Sequence, residues 1–283
     1  MQSANKTRCD DSTPGDLGDA ADGACGALVV GHGTRDLDGR REFLDVVRQA
    51  VGRIAPGAVE PAFLELAEPT IEQAVERLAA RGVRRLVVAP LLLFAAGHVR
   101  RDVPEAVRSA ALRIGLNPDD VRLTPHLGCD SMLVSLSVRR YRESAPAADA
   151  RFGGETPATD AETLLLLVGR GSADDEAREE FLRFAEMRRQ AAPCGEQTFA
   201  FTAMSEPSLA AGLQRAGESA WRRVVVQPHL LFRGQLIDRL QDAVDDARRR
   251  YPEKQWRTAP HLGAAPEVVE VLTSRLGEGF AVR

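Results

Sequence analysis

The sequence predicts an α/β protein made of two copies of one four-(βα) unit, and two observations predict it. Short apolar, β-branched or leucine-rich runs alternate with longer amphipathic stretches, the signature of a parallel sheet buried on both faces. The whole pattern then occurs a second time in nearly constant register. ALVVGHGT (27–34) returns as LLLVGRGS (165–172), AFLELAEP (62–69) as AFTAMSEP (200–207), and RRLVVAPLLLF (84–94) as RRVVVQPHLLF (222–232), each pair 138 positions apart. PHLG at 125–128 returns at 260–263, after small deletions. Three segments in one register are hard to obtain by chance.

Residues 1–23 are rich in Asp, Gly, Ser, Asn and Thr and almost free of large apolar side chains, so a disordered tail is expected there. Next come a strand over 27–31, a helix over 40–54, a strand over 59–65 and a helix over 69–81. A buried strand over 85–90, a helix over 99–114, a strand over 121–124 and a helix over 130–142 complete the first unit. The Pro-, Gly-, Ala- and Thr-rich stretch 144–160 breaks the pattern and reads as a linker. The expected organisation is therefore a tail (1–23), an N-terminal domain (24–143), a linker (144–160) and a second copy (161–283).

The chain length agrees. At roughly 150 residues per domain, 283 residues make about two domains. With 44% hydrophobic and 28% charged residues the chain is an ordinary globular one. A net charge of −4 offers no basic excess to hold a phosphate backbone, so no nucleic-acid partner is expected. No apolar run approaches the roughly 18 residues of a membrane span. No signal-peptide core is visible at the N-terminus, so a cytoplasmic location is expected. Cys9, Cys25, Cys129 and Cys194 are scattered and form no CxxC pair, which suits free thiols in a reducing compartment. There is no P-loop and no proper GxGxxG, so no nucleotide cofactor is implied.

The repeat serves as an internal control: positions kept in both copies serve the fold, and positions that differ at strand mouths are candidates for chemistry. Glu68 and Pro69 recur as Glu206 and Pro207, a structural helix entry with proline in the first turn. His126 and His261 also recur, each just after a fourth strand, and read as turn or core hydrogen-bonders. His229 replaces Leu91 and reads as a lone structural histidine. Three positions behave otherwise. His32 becomes Arg170, Glu65 becomes Ala203, and Gly97-His98 becomes Gly234-Gln235. The three residues of the first copy sit at or just past the C-terminal ends of its first three strands, the edge where open α/β sheets bind ligands. Two imidazoles and a carboxylate converging there suit a divalent metal or proton transfer. Taken singly, each has a bland alternative: a hydrogen-bonding strand-end histidine, or a solvated helix-entry carboxylate.

These residues carry a family resemblance. The strand followed by GHGTRD, the AFLE strand end followed by EPT, and the VAPLLLFAAGHVRRDVP block resemble the sirohydrochlorin chelatases, class II chelatases of the CbiX and SirB type in sirohaem and cobalamin synthesis. The resemblance spans the chain after the tail, as in long members with two fused copies. It implies the chelatase fold, two similar α/β domains facing each other across a cleft. It also implies an activity, insertion of Co²⁺ or Fe²⁺ into a tetrapyrrole, with the metal as substrate and no permanently bound cofactor. His32, Glu65 and His98 would then be both metal-directed and catalytic, with Glu65 as ligand or proton acceptor. Arg35, Arg40, Arg100, Arg101 and Arg170 are candidates for the substrate carboxylates, which planar guanidinium groups match in bidentate fashion. Arg100 and Arg101 equally suit a solvated first helical turn. The second copy lacks the metal-directed residues, so one site per chain, formed within a monomer, is expected. The rival functions are a non-catalytic divalent-metal carrier and a histidine-dependent phosphoryl-transfer enzyme. The latter lacks an Arg-His-Gly start, because Gly31 precedes His32.

Overall fold

The computed structural model describes residues 24–53, 58–94, 97–144 and 160–281, with the backbone alone at 97–99 and 160. The expected tail and nearly all of the expected linker lie outside the described residues. The first copy comprises β1 (Ala24–Gly31), α1 (Leu37–Val51), β2 (Ala58–Phe63), α2 (Ile71–Ala80), β3 (Val83–Pro90), α3 (Gly97–Arg113), β4 (Val121–Leu123) and α4 (Ser131–Glu143). The second comprises β5 (Thr163–Gly169), α5 (Asp175–Ala191), β6 (Glu196–Phe201), α6 (Leu209–Glu218), β7 (Arg223–Pro228), α7 (Gln235–Arg250), β8 (Gln255–Thr258) and α8 (Pro266–Ala281). Two parallel four-stranded sheets result, ordered β2-β1-β3-β4 and β6-β5-β7-β8. The expected fold class is the observed one.

Local chemistry sets most element limits. α1 begins at Leu37 rather than Arg40 because the Asp36 carboxylate accepts from the Gly39 amide (2.8 Å) and caps it. α2 begins at a Thr70–Gln73 capping box, and Ser208 caps α6 in the equivalent place. Pro69 and Pro207 therefore precede the caps instead of filling the first turn as expected, each in a cis peptide bond. The Pro69 carbonyl accepts from Phe63 and the Pro207 carbonyl from Phe201, both at 2.9 Å, which ties the turn to the end of the second strand in each copy.

The two copies are interlocked. α2 and α3 cover the outer face of the first sheet, and α6 and α7 that of the second. Between the sheets lies a layer of α1, α4, α5 and α8, in which the last helix of each copy crosses over. α8 packs on α1 and on β3 of the first sheet, while α4 packs on α5 and on β7 of the second. Gly279 of α8 lies so close to β3 that a Cβ there would sit 2.3 Å from Val87 Cγ1. In β7, the Gln227 side chain donates to the carbonyl (2.6 Å) and hydroxyl (3.0 Å) of Ser137 in α4. One continuous apolar core accordingly draws on both copies, from Phe43 and Leu133 to Phe181 and Leu272. A bidentate pair of Arg139 with Glu267 (2.9 and 2.7 Å) fastens α4 to α8.

His229, just past β7, is fully buried within this core, stacked on Phe184 with centroids 3.9 Å apart and flanked by Phe94. Neither ring nitrogen has a partner among the described residues. Burial pushes its pKa down from 6.5 to about 3, so the folded protein holds it neutral while the unfolded chain protonates it. Its contribution to stability is therefore intact above pH 6.5 and is lost progressively as pH falls from there. His229→Leu, which restores the buried residue of the first copy, Leu91, should raise stability by about 1 kcal/mol by removing unpaired buried nitrogens. It should also flatten the pH dependence below 6.5. Urea titrations at pH 7.5 and pH 5 measure both effects.

Candidate active site

In a sheet of order β2-β1-β3-β4 the loops leaving β1 and β3 diverge to opposite faces and open a crevice at the C-terminal edge. His32 is the first residue past β1. The turn that carries it is locked to the turn after β2: Leu64 N–H donates to the Gly31 carbonyl (2.9 Å) and Glu65 N–H to the His32 carbonyl (3.1 Å). Gly33 makes this approach possible. Its φ is +103°, and a Cβ would stand 1.7 Å from the Glu65 carbonyl oxygen. The result places Glu65 Oε1 3.1 Å from His32 Nε2. The imidazole is 22% exposed and the carboxylate 53%, so the carboxylate is the more accessible of the two to solvent.

The second copy keeps the same cradle with different side chains. Ala203 N–H donates to the Arg170 carbonyl (2.9 Å), and Gly171, at φ +85°, would bring a Cβ 1.8 Å from the Ala203 carbonyl oxygen. The residue after each carboxylate position, Leu66 (φ 63°) or Met204 (φ 56°), adopts the left-handed region that side chains of this size rarely enter. Both are exposed at the mouth of their turn. Nothing in their residue types announces this; the signal in the sequence is their equivalence, 138 positions apart and next to Glu65 and Ala203.

The equivalent residues His32 and Arg170 meet. Arg170 Nη2 lies 3.4 Å from His32 Nε2. Equivalent atoms of two related halves come together only near the axis that relates them, so that axis passes through the site. The crevice edges of the two copies therefore meet at His32 and Arg170.

His98 lies in the first turn of α3, at the C-terminal edge beyond β3, with its side chain outside the described residues. Among the described residues no set of three His, Cys, Asp or Glu side chains is gathered for a metal. His32 and Glu65 are two of the three residues expected. The arginines separate. Arg40 donates to the Glu68 carbonyl (3.3 Å) beside the site, and Arg35 and Arg101 are exposed. Arg100 is ion-paired with Glu176 in the first turn of α5 and lines an open groove of about 610 Å³ with Arg101 and Arg108. That groove runs along α3 and contains neither His32 nor Glu65.

His126 and His261 prove to be hydrogen-bonders, with partners in the opposite copy. His126 Nε2 lies 2.8 Å from Glu180, and His261 Nε2 lies 2.8 Å from Glu42, two equivalent pairs related by the repeat. Burial opposes ionisation of Glu42, but the His261 hydrogen bond and the Arg233 amide outweigh it, and the pKa falls below 4.5. Stability from this carboxylate is present above 4.5 and is lost as pH falls through its lowered folded value. His261→Ala should cost about 1–3 kcal/mol at pH 7 by stripping a half-buried carboxylate of its partner. The penalty should shrink in acid; a cost that stays constant from pH 7 to pH 3 would contradict the pairing.

A parallel-sheet edge that sets an imidazole against a carboxylate at the meeting point of two related halves defines an α/β protein with a polar ligand-binding crevice. The CbiX family model matches the chain twice, at residues 26–144 and 164–279. The chain belongs to the CbiX family, and the two matches coincide with the two copies. Among curated relatives, a sirohydrochlorin cobaltochelatase of Priestia megaterium is 28% identical over 89% of this chain and 79% of its own length. A sirohydrochlorin ferrochelatase of the same organism is 27% identical over 88% of each. The solved structure of SirB from Bacillus subtilis with Fe³⁺ superposes with a TM-score of 0.76 at 24% identity, over 91% of this chain and 96% of that one, so the fold is shared.

Proposed function

We propose that this protein is a metal chelatase that inserts Co²⁺ or Fe²⁺ into sirohydrochlorin, in cobalamin or sirohaem biosynthesis. The observation that carries this reading is the 3.1 Å approach of Glu65 to His32 Nε2 at the crevice edge of a CbiX-family fold. Insertion strips water from a dication, presents it to the ring face, and removes two pyrrole protons as the dication enters, so charge is conserved. Neutral imidazoles are good yet exchangeable ligands for such borderline metals. His32 and His98 hold and hand over the ion, and the exposed Glu65 carboxylate ligates it or accepts a proton. Residues 24–143 are the catalytic copy. Residues 161–283 are a degenerate copy that supplies the far wall and Arg170.

Leu66 and Met204, both exposed, would offer apolar contact to a flat macrocycle. Arg35, Arg40 and Arg101 would meet its carboxylates, and Arg100 would join them on leaving Glu176. A single chain contains both walls, so the monomer is the working unit. Cys25 and Cys129 are free thiols, which supports a reducing cytoplasm. No described helix is long and apolar enough to cross a membrane.

The metal is open between the two, since relatives of either name match almost equally well. The test is the visible spectrum of sirohydrochlorin mixed with Co²⁺ or Fe²⁺. The spectrum of the metallated ring should appear faster with the protein than without it. An unchanged rate with both metals, alongside tight metal binding, would favour the carrier reading.

A further inference from the structure

Among the described residues, two neighbours of His32 Nε2 make incompatible demands. Glu65 Oε1 stands 3.1 Å away and Arg170 Nη2 3.4 Å away. An ionised carboxylate only accepts and a guanidinium only donates, whereas one nitrogen of a neutral imidazole carries either a proton or a lone pair. With the proton on Nε2, the ring serves Glu65 and Arg170 finds no acceptor. With the lone pair on Nε2, Arg170 is served and Glu65 faces electron density. A divalent cation would use both the Nε2 lone pair and the Glu65 carboxylate, leaving nothing for Arg170 and placing two positive groups side by side.

On the site reading above, we infer that Arg170, delivered by the degenerate copy, is a displaceable competitor of the metal for His32. Before metal arrives the guanidinium takes up the lone pair. The incoming dication takes the lone pair over, and Arg170, already solvent-exposed, swings away as an intact cation with no proton exchanged. The competition keeps the ion loosely held, as a catalyst that must surrender its metal to the macrocycle requires. The released guanidinium is then free to bind a substrate carboxylate, which links metal loading to substrate capture. Arg170 thus acts on the metal through His32, as a positioning residue.

Equilibrium titration with Co²⁺ alone, read by its visible absorption, tests this on the full-length wild type, His32→Ala, Arg170→Ala and Arg170→Lys. Arg170→Ala should bind Co²⁺ about tenfold or more tightly, by the scale on which one neighbouring charge moves a site's affinity for a cation. Its turnover should fall, and added salt should weaken the difference. Arg170→Lys, which keeps the charge, should return affinity towards wild type. Structural damage would loosen binding, so a gain of affinity is diagnostic. Arg170→Ala binding within twofold of wild type, or more weakly, while His32→Ala abolishes binding, overturns the competition and leaves the site reading standing. Binding unaffected by His32→Ala overturns both.

Discussion

Glu65→Gln is expected to reduce metal insertion at least 100-fold, within the range that a positioned acid–base group contributes. The amide keeps the shape of the side chain but loses the negative charge that a dication or a departing pyrrole proton requires. Because the Glu65 side chain is 53% exposed, the variant should unfold within about 1 kcal/mol of the wild type. His32→Ala and His98→Ala should show the same loss of rate with stability preserved. Sirohydrochlorin metallation followed by visible absorption, with thermal unfolding in parallel, separates the two effects. Full activity in Glu65→Gln would remove the carboxylate from the mechanism.

A chain ending at residue 265, which lacks α8, is expected to lose cooperative folding of both copies. α8 belongs by sequence to the second copy but covers β3 of the first sheet and packs on α1. Val268, Val269, Leu272 and Leu276 of α8 are each fully buried, and truncating one such side chain to alanine typically costs about 2–5 kcal/mol. Removing all four, at about 8–20 kcal/mol, is as large as the 5–15 kcal/mol that holds a typical domain. Independent halves would behave otherwise, the first retaining its own sharp transition. Near-ultraviolet circular dichroism and hydrogen exchange at β1 and β3 distinguish the outcomes.

The architecture was legible in the sequence because its two strongest signals are local. Strands buried on both faces, such as the LLLLV of β5, must be continuously apolar, and a duplicated unit repeats its turns in register. The helix exchange was not legible. α4 and α8 are amphipathic whichever sheet they cover, and periodicity says which residues are buried but not against what. The partners of His126 and His261 escaped for the same reason, since Glu180 and Glu42 lie one copy away and look like solvated residues of α5 and α1. The candidate site was visible as a contrast between copies: His32 and Glu65 stand out because Arg170 and Ala203 replace them on an unchanged backbone cradle. Comparing the copies did not reveal that Arg170 touches His32. Contact between equivalent positions depends on where the relating axis falls, and no linear pattern encodes that.

The central claim is that two related halves share one site, with its metal-directed groups supplied by the first. The number of tight Co²⁺ ions bound per chain tests it most directly. One is expected in the wild type and none in His32→Ala, although the chain carries two copies of the cradle. Two tight ions per chain, with one lost on substituting Arg170 or a neighbour of Gln235, would contradict it.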